Sequence, residues 1–347
     1  MKKAASIHPV SEYTGAPREC GRQYGESQAE AIEAFLHMEV MPDAQRLRYA
    51  GRCWRVLQRW ERHVVDFVRG MSEGSGLSVE EITLLLLHEE IVHLKPCTAV
   101  GATRAGTKDG KAIIGQNWDW NSQLYPWAAL TRLRASGIPK ALLYSYPGLW
   151  CCAGVNEHGM SLVWTGSAYL PKIKPVVGVP TYALIPGILA CRNCREALAL
   201  LRRTRMAGSF IFFLADAQAE VWAVECLSGK FEAVRCEDVL TRANHYECER
   251  MARLARQDIH SNPKANTQFR GPRMAELARR HRGRIDRHVI ERFLCDEGVG
   301  LGKDICQRPH GNVRGMTIDS FYCVPARREF WIARGIPSRH EFRCHRV

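Results

Sequence analysis

Apolar positions between residues 15 and 96 recur at helical spacing. Gln28 to Leu36 joins strong helix formers to an apolar face, and Arg52 to Met71 carries Trp54, Val56, Leu57, Trp60, Val64, Val65 and Val68 near helical spacing. Ser78-Val79-Glu80-Glu81 has the form of a capping box, in which Ser and Glu satisfy each other's exposed backbone N–H groups. This predicts a helix from about Val79 to about Ile91, buried on account of Ile82 and Leu84 to Leu87. Pro96 disfavours helix at Lys95, so the helical pattern stops just before Cys97.

From Cys97 the texture turns to short runs rich in β-branched and aromatic residues, punctuated by Gly and Pro. Strands are predicted at 97–103, 112–118, 129–134, 141–146, 149–155 and 160–164. Helical patterns follow at 182–191 and 193–203, a second hairpin pairs 209–215 with 220–226, and 231–235 adds to it. Helices at 248–257, 273–281 and 287–295 precede strands at 316–324 and 329–333. Strands, then helices, then strands imply stacked sheet and helix layers.

Composition narrows the class. A chain of 347 residues, 46% hydrophobic, can bury one large core or two smaller ones. The basic amino terminus has no apolar run of signal-peptide length behind it, and no segment has the roughly 18 uninterrupted apolar residues of a membrane span. With 14 scattered cysteines, this favours reduced thiols in a cytoplasm over a disulfide framework. The net charge of +13 comes from dispersed arginines, concentrated mildly between Arg242 and Arg292 at helical spacing among acidic and apolar residues. Solvated helix faces account for them, and no nucleic-acid motif accompanies them.

Candidate chemistry gathers at the first hairpin. Cys97 opens one predicted strand and Asp119 follows its antiparallel neighbour, so a thiol and a carboxylate meet at one sheet edge. Taken alone, Cys97 reads better as a small buried hydrophobe than as a nucleophile. The surrounding words carry more. Pro96-Cys97-Thr98-Ala99 and Gly115-Gln116-Asn117-Trp118-Asp119-Trp120 occur with Gly15-Ala16-Pro17-Arg18-Glu19-Cys20-Gly21-Arg22-Gln23-Tyr24-Gly25, Gly154-Val155-Asn156-Glu157-His158-Gly159-Met160 and Thr241-Arg242-Ala243-Asn244-His245-Tyr246. In this order and spacing they resemble the acyl-CoA:6-aminopenicillanic acid acyltransferase family of the N-terminal-nucleophile (Ntn) hydrolases.

The resemblance implies an α+β fold, a four-layer αββα sandwich. A mostly helical leader, residues 1–96, would become a small subunit by self-cleavage between Pro96 and Cys97, with residues 97–347 as the catalytic body. It implies Cys97 as nucleophile, Asn244 as side-chain donor to the oxyanion, Asp119 orienting the new amine, and Arg314, in Gly311-Asn312-Val313-Arg314-Gly315, as the active-site arginine. Without the motif, Asn244 suits a turn, and Arg314 suits a solvated surface equally well. His245 reads as structural, Asn117 as support for the sheet end, and Asn156 with Gly159 as a turn.

Cleavage would free an α-amine titrating near ~8, able to accept the thiol proton without a separate histidine. The mechanism needs no metal or organic cofactor. Its substrate would be a small acyl compound, an acyl-CoA thioester or an N-acyl amide, with leader and body remaining associated and neither nucleic acid nor membrane as partner. Against the fungal pattern, the segment between Cys97 and Asp119 is longer, and a proline precedes the cysteine. A rival reading is a zinc-stabilised binding protein, with Cys191 and Cys194 as half a site and His340, Cys344 and His345 as the remainder. The same CxxC lacks the βαβ context of a redox motif.

Overall fold

The computed structural model describes residues 8–92, 96–167, 175–260, 265–312 and 314–347. Met1 to Ile7, Lys95 and Val313, which entered the sequence reading, lie outside them.

The segment before Cys97 opens with a strand that the hydrophobic pattern did not announce, β1 (Val10–Gly15), followed by α1 (Pro17–Phe35) and a short π-helical turn. Next come α2 (Ala44–Leu57), α3 (Arg62–Ser75), α4 (Val79–Leu86) and α5 (His88–Val92). The continuous pattern over Arg52 to Met71 is therefore two helices. Between them Trp60 turns away to donate its indole N–H to Thr204 Oγ1 at 2.9 Å. The capping box forms as expected, with Ser78 N–H donating to Glu81 Oε2 at 2.8 Å.

The expected hairpin is β2 (Cys97–Ala102) and β3 (Ile113–Asn121), with Cys97 opposite Trp118. After it run β4 (Ala129–Ala135), β5 (Ala141–Tyr146), β6 (Leu149–Asn156) and β7 (Ser161–Gly166). The helices α6 (Thr181–Leu189) and α7 (Cys194–Arg202) lead to β8 (Ser209–Ala215), β9 (Val221–Leu227), β10 (Lys230–Arg235) and β11 (Val239–Arg242). The chain closes with α8 (Glu249–Leu254), α9 (Thr267–Arg280), α10 (Arg287–Leu294), β12 (Gly315–Val324), β13 (Glu329–Arg334) and β14 (Arg343–Arg346). Two of these, β11 and β14, are four-residue strands without a readable alternation. The helix α9 begins at Thr267, ahead of the expected 273, because it accommodates Pro272 inside its length.

The strands form two sheets, one in the order β1-β4-β5-β6-β7-β8-β9-β10 and the other β11-β2-β3-β12-β13-β14. Trp118 and Trp120 of β3 point between the sheets against Tyr144 and Tyr146 of β5 and Trp164 of β7. On the outer face of the six-stranded sheet, Val100, Ala102 and Ile113 pack with Met274 of α9 and Ile290 and Phe293 of α10. The eight-stranded sheet is covered by the earlier helices, Phe67 of α3 stacking on Trp150 with ring centroids 3.8 Å apart. The result is the αββα layering the motifs implied. The described residues before Cys97 share one core with those after it: β1 pairs in parallel with β4, and Tyr24 of α1 donates its hydroxyl to the Tyr146 carbonyl at 2.8 Å.

Candidate active site

Cys97 begins β2 at the end of the hairpin, where its backbone is gripped from elsewhere in the chain. Its N–H donates to Asn244 Oδ1 at 2.8 Å. Its carbonyl accepts from Arg270 Nη1, which also donates to Thr98 Oγ1 at 2.5 Å, while Nη2 of the same guanidinium donates to Asn244 Oδ1 at 2.6 Å. One arginine thus ties the residue after the junction to the asparagine that caps its N–H. A planar guanidinium with five donors in a fixed fork suits this double task, which a lysine could not perform.

Asn244 follows β11, and its amide orientation is set by its neighbours. Two donors face Oδ1, and Nδ2 donates to the Gly166 carbonyl at 2.9 Å. Its own N–H donates to Thr267 Oγ1 at 2.8 Å, the hydroxyl that also meets His245 Nδ1 at 2.7 Å. Burial, with Arg270 as the next cause, lowers the His245 pKa to about 4, leaving it a neutral prop of this corner at physiological pH.

Asp119 stands one residue along β3 from Trp118, the register partner of Cys97. It is fully buried, with Oδ1 accepting from Thr317 Oγ1 at 2.6 Å and Oδ2 meeting no donor among the described residues. Desolvation raises its pKa to about 7, against the opposing pull of Arg270 and the Thr317 hydrogen bond. A carboxylate in this condition is ready for a cation.

The thiol side of the site is closed. Cys97 is only 2% exposed, and the face it shares with Trp118 is walled by aromatic rings. Phe35 of α1 and His88 of α5 complete that wall: between ring centroids, Phe35 lies 5.9 Å from Tyr146, and His88 lies 5.1 Å from Trp120 and 6.2 Å from Tyr182.

Of the residues singled out in the sequence, Cys97 and Asn244 are hydrogen-bonded, Asp119 lies one residue beyond the register partner of Cys97, and Arg314 is not among them. Arg314 is exposed at the entrance to β12, its carbonyl accepting from Ser122 N–H at 3.0 Å. The guanidinium beside Cys97 is that of Arg270, on α9. Asn117 buttresses the sheet end, Nδ2 donating to the Leu294 and Ile305 carbonyls at 2.8 and 2.9 Å. Asn156 makes the turn at Gly159, its Oδ1 accepting from the N–H groups of His158 and Met160, both at 2.9 Å. The rival zinc residues stay apart: Cys191 and Cys194 direct their thiols to the carbonyls of Gly187 and Glu220, and Cys344 is exposed on β14. Among the described residues, no three His, Cys, Asp or Glu side chains gather as metal ligands. Nor is any described helix long and apolar enough to cross a membrane.

The αββα sandwich carries this cluster at the end of an inner hairpin. Residues 106–335 match the acyl-coenzyme A:6-aminopenicillanic acid acyl-transferase family, and the chain belongs to it. The matched segment holds Asp119, Asn244 and Arg270 and begins past Cys97. Among solved structures, a mutant conjugated bile acid hydrolase from Clostridium perfringens is similar at 11% identity and a TM-score of 0.44, covering 72% of this chain and 97% of that one. Penicillin V acylase from Agrobacterium tumefaciens is similar at 14% identity and a TM-score of 0.44, covering 69% and 83%.

Proposed function

We propose that the protein is a self-processing amidohydrolase or acyltransferase that works through an acyl-enzyme on Cys97. The observation that supports this reading is the grip on Cys97, whose N–H and carbonyl are both held by side chains, Asn244 just after β11 and Arg270 on α9. In the uncut chain, the thiol attacks the Pro96 carbonyl and the Pro96–Cys97 amide shifts to a thioester. Water then resolves the thioester, leaving a carboxylate on Pro96 and a free α-amine on Cys97. That amine accepts the thiol proton in later turnovers. As an ammonium it is also the cation that the buried Asp119 lacks.

In the catalytic cycle the Cys97 thiolate attacks an amide or thioester carbonyl. Asn244, through its side-chain amide, donates to the tetrahedral oxyanion, and Arg270 holds Asn244 and the Cys97 carbonyl in register. Water or an amine then releases the acyl group. The leader, residues 1–96, stays bound to the body as a subunit.

Intact-mass measurement of the recombinant protein tests the reading. Two chains are expected, one beginning at Cys97. Cys97→Ala should remain one inactive chain, and Cys97→Ser should cleave slowly. A wild-type chain that stays whole yet shows Cys97-dependent activity overturns the Ntn mechanism. Screening acyl-CoA thioesters against N-acyl amides, with products read by mass spectrometry, separates transferase from hydrolase.

A further inference from the structure

The Gly115 to Trp120 motif places three polar side chains on β3, and the site described so far uses only two of them. Asn117 and Asp119 point to the helix-covered face of the sheet. Gln116 points the other way, between the sheets. Its register partner is Ala99, as that of Cys97 is Trp118. Opposite residues in a ladder share a face, and so do alternate residues of a strand. Cys97, Ala99, Gln116 and Trp118 therefore present their side chains to the same space, with Gln116 one pair deeper than the thiol, about 7 Å along the strand.

The amide of Gln116 is fully buried and its orientation is fixed. Oε1 accepts the backbone N–H of Trp164, across the interlayer on β7, at 2.7 Å. Only an oxygen can take that N–H, so the other amide atom is the nitrogen, with two N–H donors. Nε2 meets no acceptor among the described residues. A buried donor without an acceptor is costly to keep, and natural interiors hold few of them. Cys97 and Trp118 share its face of the sheet, Trp164 stands across the interlayer, and Nε2 is left as a buried donor among them. Such a donor discriminates strongly, because a ligand that brings no acceptor leaves it unpaired.

We infer that Gln116 is a specificity-determining residue, the donor at the floor of the acyl pocket, and that it selects acyl groups carrying an acceptor oxygen about two or three bonds beyond the reacting carbonyl. The inference rests on Cys97 as the nucleophile, since the thiol fixes where the acyl chain starts. An acyl group bonded to Sγ runs inward along the shared face, and an ether or keto oxygen near its third chain atom comes within reach of Nε2.

The test uses two N-acetylcysteamine thioesters, butoxyacetyl and heptanoyl, which match in chain length and differ by an oxygen in place of a methylene. Turnover by the processed enzyme is followed by mass spectrometry, and kcat/KM is compared within each protein. The wild type should prefer the butoxyacetyl thioester by about 10-fold or more. Gln116→Met should bring the ratio close to one, chiefly by loss on the butoxyacetyl substrate. Losing the bond to Trp164 N–H affects both substrates and cancels in the ratio. A wild-type ratio near one, or an unchanged ratio in Gln116→Met, overturns the inference. Turnover that survives Cys97→Ala instead overturns the nucleophile assignment, whatever Gln116 does.

Discussion

Asn244 carries the heaviest load of any single side chain, because it caps the Cys97 N–H in the uncut chain and is proposed to bind the oxyanion afterwards. Asn244→Ala should lower turnover by about 10²-fold or more while circular dichroism reports an intact fold, since the loss falls on the transition state. Asp119→Asn keeps the shape and removes the charge, so a severe fall in rate is expected, and wild-type turnover would make the residue merely structural. Arg270→Lys should cost comparably, because an ammonium cannot serve Cys97, Thr98 and Asn244 at once. Steady-state kinetics on the processed protein read all three. The runs of residues around Cys97, Asp119 and Asn244 were readable in the sequence, and the fold hydrogen-bonds Cys97 to Asn244. Arg270 was not readable there. It lies among many arginines, outside the helix expected from 273, and only tertiary packing turns its guanidinium inward. Arg314 attracted notice through its glycine-flanked motif, yet its strand begins at the surface.

At the scale of elements, α5 supplies His88 to the aromatic wall, and its anchoring is unusual. Glu90 is buried, with Oε1 accepting from both the N–H and the hydroxyl of Thr181 at 2.8 Å and Oε2 meeting no donor among the described residues. Desolvation raises its pKa to about 7, and the titratable groups that face it are Tyr49 and Cys53 of α2, Glu89 beside it and Cys226 of β9, none of them a cation. A carboxyl raised in the folded state favours the protonated form. Its charging therefore removes stability as pH climbs from about 4.5 to about 7, and the penalty is complete above that. In the uncut Cys97→Ala protein, Glu90→Gln should raise the unfolding free energy at pH 8 by up to a few kcal/mol and have little effect at pH 4. Denaturant titrations of the two proteins check this, and Asp119, which titrates over the same range, cancels in their difference. The longer elements could be read from periodicity and caps. The short edge strands could not, since β1, β11 and β14 owe their conformation to the neighbours they pair with rather than to alternation of their own.

For the whole molecule, the layered architecture followed from the succession of strand and helix patterns. What that succession could not convey was how far the first 96 residues are woven into the rest. β1 completes a sheet made otherwise from the body, Tyr24 and Phe67 reach into its interior, and His8 meets Asp319 at 3.0 Å in a buried pair. An uncut chain assembles this core in a first-order process, as any single polypeptide does. Once the bond before Cys97 is severed, the same core becomes the product of an encounter between two molecules. Refolding from guanidinium should then depend on protein concentration for the processed enzyme and not for Cys97→Ala. At high dilution the processed form should fail to recover its secondary structure at all. The cut that switches the enzyme on would in that case also make each molecule's first folding its last.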